Sequence, residues 1–368
     1  MQPWILFGGT FDPIHNGHLL VAQDAKKFFN AEKVIFIPAK NPCWKDPTSS
    51  QIRLKMLSLA IKGHPDFEIS TYELEQEDPV SYTVNTVDYF LNKYPERKFY
   101  FLLGFDQMDQ LDNWHEVERL TKEIQIIAYA RPGYPKNHEA VKKYHIQVIE
   151  SKLYDVSSTD IRLGKDLQAP LQVLNYIAEN KLYFVKSLSA YLKEHRFKHS
   201  LSVANTSYQY ALANGLDPFK AYQAGLFHDI GKDLPQEEQA KVMKTYFPQF
   251  QDLPSFSYHQ FVSEFLAKNF FGITYKDVLS AIEFHCTGKA RMSKMDKCIY
   301  AADKTEPTRD YDTKAMYQAC LNNLNEGFIK VLKEHQDYFK TNGIDFTSNY
   351  LTRRMYACYI NPKEKKHA

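Results

Sequence analysis

The segment Gly8-Gly-Thr-Phe-Asp-Pro-Ile-His-Asn-Gly-His-Leu19 places two imidazoles three residues apart directly behind a glycine turn. It follows the short apolar run Trp4 to Phe7 and leads into an amphipathic stretch from Asn16, so it reads as strand, turn and helix start. α/β folds bind phosphates at that junction, where backbone N–H groups and the helix dipole favour negative charge. His15 and His18 would stand side by side there, and a polyphosphate is the expected guest. The chemistry that fits is nucleotidyl transfer, in which an α-phosphate moves from pyrophosphate to an incoming phosphate. Positioned cations and a Mg²⁺ ion stabilise the developing charge without a protein nucleophile.

A second constellation lies far downstream: His199, His228-Asp229, His259, His285 and Asp303. Each falls on the apolar face of a helical pattern. His199 runs with Val203 and Tyr210, His259 with Val262 and Leu266, His285 with Val278 and Ile282, and Asp303 with Met295, Ile299 and Ala302. Inward carboxylates without partners are costly, and a metal is the simplest source of the missing charge. Four ligands in the order His, His-Asp, Asp serve one ion. Two further histidines suggest a second, with Asp229 bridging. Such a pair activates water for hydrolysis of phosphate esters or anhydrides. Imidazole and carboxylate together suit iron, manganese or zinc. Lys232, in His-Asp-Ile-Gly-Lys, reads either as a phosphate contact or as a solvated helix-end lysine.

These groups need two scaffolds. The chain has 368 residues, 44% hydrophobic and 24% charged, with a formal charge of +2. That length suits about two domains, and the near balance of charge leaves no basic stripe for nucleic acid. Five cysteines without a C-x-x-C pair argue for reduced thiols and a cytoplasmic setting. No signal peptide or membrane-spanning run is visible. Strand patterns at Trp4 to Phe7, Val34 to Pro38, Phe67 to Ser70, Phe99 to Leu103 and Ile124 to Ala130 alternate with helical ones, which predicts a Rossmann-like parallel sheet. After Pro170 the periodicity is helical throughout. The expected domains are therefore 1–185, α/β, and 186–368, all-α.

The first half resembles the bacterial nicotinate-mononucleotide adenylyltransferases of the H-x-G-H nucleotidyltransferase group. The likeness spans about residues 1 to 183. Beyond the opening motif it rests on Ser81-Tyr-Thr83, the run FLLGFDQMDQLDNWHE from Phe101, Arg131-Pro-Gly133, Val156-Ser-Ser-Thr-Asp-Ile-Arg162 and the closing stretch Val173 to Tyr183. It implies that Gly8, Gly9, Thr10, Phe11, His15 and His18 hold ATP and stabilise the transition state. Ser158, Thr159 and Arg162 would grip its phosphates, and Gly104 and Asp106 would border adenosine. Lys45, Thr83, Trp114, His115 and Arg131 would meet the nicotinate mononucleotide acceptor. Trp114 also reads as core, Arg131 as a surface ion pair, and Ser158 as a helix cap. The chain departs from the family at Pro42-Cys43-Trp44-Lys45 and at Phe105.

The second half resembles HD-domain phosphohydrolases, more narrowly the symmetrical diadenosine tetraphosphate hydrolases. The likeness covers about residues 187 to 361, through Arg196 to Ala204, Ala224 to Lys232, Phe284 to Gly288 and Tyr300 to Arg309. It implies that the six constellation residues ligate two transition metals, with iron favoured. Asp229 and Lys232 would take part in catalysis, Thr287, Gly288 and Arg309 would orient phosphates, and diadenosine tetraphosphate would be split into two ADP. The whole chain thus reads as a bifunctional enzyme that uses ATP, nicotinate mononucleotide and diadenosine tetraphosphate. A homo-oligomer, nicotinamide mononucleotide as acceptor, other nucleotides for the helical half, and a non-catalytic nucleotide sensor stay open.

Overall fold

The structure, a computed structural model, describes residues 1–40, 47–77, 81–130, 138–149, 156–345 and 348–360. Its contacts divide it into two compact units. One comprises Met1–Ile161 with Gln168–Tyr176, and the other Arg162–Leu167 with Ile177–Ala368.

The first unit holds six strands: β1 (Trp4–Gly9), β2 (Lys33–Pro38), β3 (Phe67–Ile69), β4 (Phe99–Gly104), β5 (Gln125–Tyr129) and β6 (Gln147–Ile149). All neighbours pair in parallel, in the order β3-β2-β1-β4-β5-β6. Helices cross over between the strands: α1 (Asn16–Phe28), α2 (Ser50–Ala60), α3 (Tyr72–Glu75), α4 (Thr83–Lys93), α5 (Val117–Glu123) and α6 (Glu139–Lys143). α7 (Ser158–Leu163) and α8 (Leu171–Glu179) follow the last strand. The central strands are continuous apolar runs because both faces of a parallel sheet are covered: Ile5, Leu6, Val34, Phe36 and Leu102 are all fully buried. Strand order reverses between β1 and β4, and α/β folds of this kind bind ligands beyond the carboxyl ends of strands at such a reversal. Gly9 and Gly104 end those two strands.

The five expected strands form. The sixth, β6, is a three-residue edge strand that the sequence reading did not include. Beyond β4, residues Phe105–Asn113 wind as a 3₁₀ helix, with Phe105, Met108 and Leu111 buried.

The second unit is helical, as the periodicity implies. Its helices are α9 (Phe184–Ala190), α10 (Glu194–Ala213), α11 (Pro218–Phe227), α12 (Gln236–Tyr246), α13 (Tyr258–Asn269), α14 (Lys276–Glu283), α15 (Lys294–Thr305), α16 (Lys314–Asn322), α17 (Leu324–Thr341) and α18 (Tyr350–Tyr359). The crossing of α10 and α11 depends on Gly225, where a Cβ would lie 2.7 Å from the Ala204 Cα. That contact carries His199 and His228 to within 5.2 Å, ring centre to ring centre. Cys286, Cys298, Cys320 and Cys358 are free thiols. Among the described residues no helix is long and apolar enough to cross a membrane.

Candidate functional site

In the first unit, β1 delivers Gly8 and Gly9 to the carboxyl end of the sheet's interior strands, and the chain turns through Phe11, at φ 50°. His15 is the N-cap of α1. Its backbone N–H donates to His18 Nδ1 at 3.3 Å, and the two rings lie 3.7 Å apart, centre to centre. Since His18 accepts at Nδ1, its proton sits on Nε2, and the ring offers a donor at the helix start. Gly17 is required between the two histidines, because a Cβ there would come within 2.7 Å of Val156 Cγ1. That close approach brings in the segment before α7, and the Ser158 hydroxyl donates to Pro13 O at 2.9 Å. The helix is capped by Ser157, whose Oγ accepts from Asp160 N–H at 3.0 Å. Ser158 instead ties α7 to the glycine turn. Thr159 and Arg162 follow it on the same helix.

Across the strand reversal, Gly104 and Asp106 begin the 3₁₀ segment. Thr83 opens α4, and Tyr82 before it packs on His115 with ring centres 4.5 Å apart. Trp114 meets Phe101 edge-on at 6.2 Å and is only partly buried at the margin of the core, so its ring is shared between packing and surface. Lys45 and Arg131 lie outside the described residues.

In the second unit, all six expected ligands converge. Asp229 Oδ1 lies 3.3 Å from His259 Nε2 and 3.4 Å from His285 Nε2. Those two nitrogens are themselves 3.2 Å apart. Asp303 Oδ1 is 3.1 Å from His199 Nε2 and 3.7 Å from His228 Nε2. Ligand-type atoms of His199, His228 and Asp303 form one group within 4.8 Å of one another, and those of His228, Asp229 and His285 form another. Lys232 Nζ stands 3.1 Å from both ring nitrogens of His259.

Residues 6–164 match the family described as cytidylyltransferase-like, and residues 196–308 match the HD domain. A Mycoplasma genitalium protein named "probable nicotinate-nucleotide adenylyltransferase/Ap4A hydrolase" is 31% identical over 354 residues, covering 92% of this chain and 99% of its own. Its Mycoplasma pneumoniae namesake is 34% identical over 312 residues, covering 84% and 90%. The chain belongs to this fused adenylyltransferase and HD-domain family. A Bacillus licheniformis protein named "probable nicotinate-nucleotide adenylyltransferase" is 36% identical over 187 residues, 48% of this chain and 96% of its own.

The HD domain of this family member has the donor set of a divalent metal centre. His228, His259 and His285 each set Nδ1 against a backbone carbonyl three residues back, at 2.7, 2.8 and 2.8 Å. A carbonyl only accepts, so each Nδ1 carries the proton and each Nε2 presents its lone pair inward. His228 Nε2 is buried without a hydrogen-bond partner. Around Asp229 Oδ1, the lone pairs of His259 and His285 face a carboxylate oxygen with no proton of their own to share. Burial holds both imidazoles below their ordinary pKa, and so in the neutral form that binds metal. Burial would raise the carboxyl group of Asp303, yet Lys304 and the hydrogen bond from His199 hold it well below the usual range. His199 differs. Burial works against its charge, but hydrogen bonds to Asp303 and Glu306 lift it to about 9.

Two buried residues that bond into the sites escape the sequence reading. Glu306 accepts at 3.0 Å from His199 Nδ1 and so fixes the orientation of that imidazole. It lies three positions beyond Asp303, past the end of α15, where helical periodicity no longer applies. Arg53 is only 1% exposed and serves four backbone carbonyls: Thr10 at 2.8 Å, Ala39 at 2.8 Å, Lys40 at 3.1 Å and Thr48 at 2.9 Å. An arginine within an amphipathic helix carries no mark of burial in the sequence.

Proposed function

We propose that the chain is a bifunctional enzyme. The first unit transfers AMP from ATP to nicotinate mononucleotide, giving nicotinate adenine dinucleotide and pyrophosphate. The HD domain hydrolyses diadenosine tetraphosphate to two ADP. The observation that carries the first activity is the His15–His18 pair at the start of α1, beside the strand reversal. Both rings lie where the helix dipole favours anions, and His18 Nε2–H donates to charge developing on the transferred phosphate. Arg53 holds the Thr10 carbonyl, which keeps the glycine turn in place while ATP binds with its Mg²⁺. Ser158, Thr159 and Arg162 close on the phosphates from α7. Thr83, Trp114 and His115 meet the acceptor ring, and Lys45 and Arg131 its charged groups.

The second activity is carried by the convergence of unprotonated imidazole nitrogens on Asp229. His199, His228, Asp229 and Asp303 would hold one metal ion, and His259 and His285 with Asp229 a second; iron fits this nitrogen and oxygen donor set. When bound, the pair supplies an acidified water and charge neutralisation at the phosphate. Asp229, between the two groups, would serve both ion positions through its carboxylate. Lys232 and Arg309 face the phosphate oxygens, and Thr287 and Gly288 shape the path of the chain. Incubating metal-replete protein with each substrate set and resolving the nucleotides tests both halves. The first reading fails if ATP and nicotinate mononucleotide yield no dinucleotide. The second fails if diadenosine tetraphosphate is untouched or is cleaved to AMP and ATP.

A further inference from the structure

Gln260, beside His259 on α13, is completely buried and reaches across to the chain that follows His285. Its Oε1 accepts from Cys286 N–H at 3.2 Å and from Thr287 N–H at 3.1 Å, and its Nε2 donates to Thr287 Oγ1 at 3.0 Å. The Thr287 carbonyl in turn accepts from Thr352 Oγ1 of α18 at 3.1 Å. Immediately after this knot the chain turns through Gly288, at φ 64°. One amide side chain therefore clamps the residue next to one ligand histidine against the residues next to another. The histidines so joined are the pair whose Nε2 atoms lie 3.2 Å apart. His285 lies just past the end of α14; its ring is held by the Ile282 carbonyl at 2.8 Å and its own carbonyl by Lys304 Nζ at 3.0 Å, and Gln260 fixes the two amides that follow.

We propose that Gln260 is a positioning residue that sets the spacing of His259 and His285, and through it the metal position they share with Asp229. This rests on the dinuclear reading above. The hydrogen bonds of Gln260 reach only the residues after His285, whereas the His199, His228 and Asp303 group is held by Glu306 on His199 and by the Gly225 carbonyl on His228. Loss of the clamp should therefore weaken one metal position and spare the other. Outer partners of metal ligands typically contribute about 10- to 100-fold in affinity.

The test uses the full-length protein, stripped of metal and titrated with Co²⁺, followed by ligand-field absorbance and by metal content after desalting. Wild-type protein should take up two equivalents. Gln260→Met, close in volume but unable to accept from the two amides, should keep one equivalent and bind the second about 10- to 100-fold more weakly. Gln260→Glu keeps an acceptor oxygen for both amides and should restore two. If Gln260→Met does not fold, Gln260→Asn serves in its place, since its shorter amide withdraws the carbonyl from Cys286 and Thr287. A lowered melting temperature with two tight equivalents overturns the proposal, as does a Gln260→Glu variant that loses the second equivalent like the methionine. Wild-type protein that binds fewer than two equivalents instead overturns the dinuclear reading on which it rests.

Discussion

Replacing Arg53 with methionine should destabilise the first unit and cripple adenylyl transfer together. The guanidinium is buried and spends its donors on four carbonyls at 2.8 to 3.1 Å, drawn from the turn after β1, the end of β2 and the chain entering α2. A hydrogen bond to a charged group contributes about 1.5–3 kcal/mol, and a buried carbonyl left unpaired costs about 1–3 kcal/mol. Water entering the space satisfies part of the loss, so a net cost of roughly 4 kcal/mol is expected rather than the sum of four bonds. At about 2–4 °C per kcal/mol this corresponds to roughly 10 °C in melting temperature. All three tryptophans, Trp4, Trp44 and Trp114, lie in the first half of the chain, so tryptophan fluorescence during urea or thermal unfolding reports that half alone. The turn carrying Thr10 should also lose its fixed position, lowering kcat for adenylyl transfer by at least about 10-fold while diadenosine tetraphosphate hydrolysis stays at its wild-type rate. Arg53→Lys should recover little, because one ammonium cannot span the four acceptors. A methionine variant within about 1 kcal/mol of wild type, or one with full adenylyl transfer, would refute the reasoning.

His18→Ala should reduce adenylyl transfer by about 100-fold or more with hydrolysis intact, because the lost donor acts only on the transferred phosphate; a dual-activity assay decides it. His228→Ala should lower bound metal and abolish ADP release, leaving adenylyl transfer unchanged, as should exhaustive chelation; metal analysis beside the same assay checks both. Glu73 is buried and accepts from Thr86 Oγ1 at 2.8 Å, and burial raises its pKa despite that bond. The folded state thus keeps this proton to higher pH than the unfolded chain, so stability falls as pH rises from the ordinary carboxylate value through the raised one. Glu73→Gln should be near neutral at pH 4 and stabilising at pH 8, read from urea midpoints by tryptophan fluorescence; an equal effect at both pH values contradicts the assignment.

The local features of both sites were legible in the sequence because they depend on spacing along one element. A strand, a glycine turn and two histidines three apart on a helix start need no distant partner to be recognised. Likewise a helical period places His199, Val203 and Tyr210 on one face, and Val203 and Tyr210 are indeed fully buried. β6 escaped because only Ile149 of its three residues is buried, which leaves little apolar signal.

What the sequence by itself determined is the set of reactive groups, the two architectures that carry them and the order in which they occur. Only the tertiary structure decided how those groups are held. Arg53 finds Thr10 across 43 residues, Gln260 finds Thr287 across 27, and His199 finds Glu306 across 107. Such contacts arise from packing between elements, and packing distance is not a function of separation along the chain.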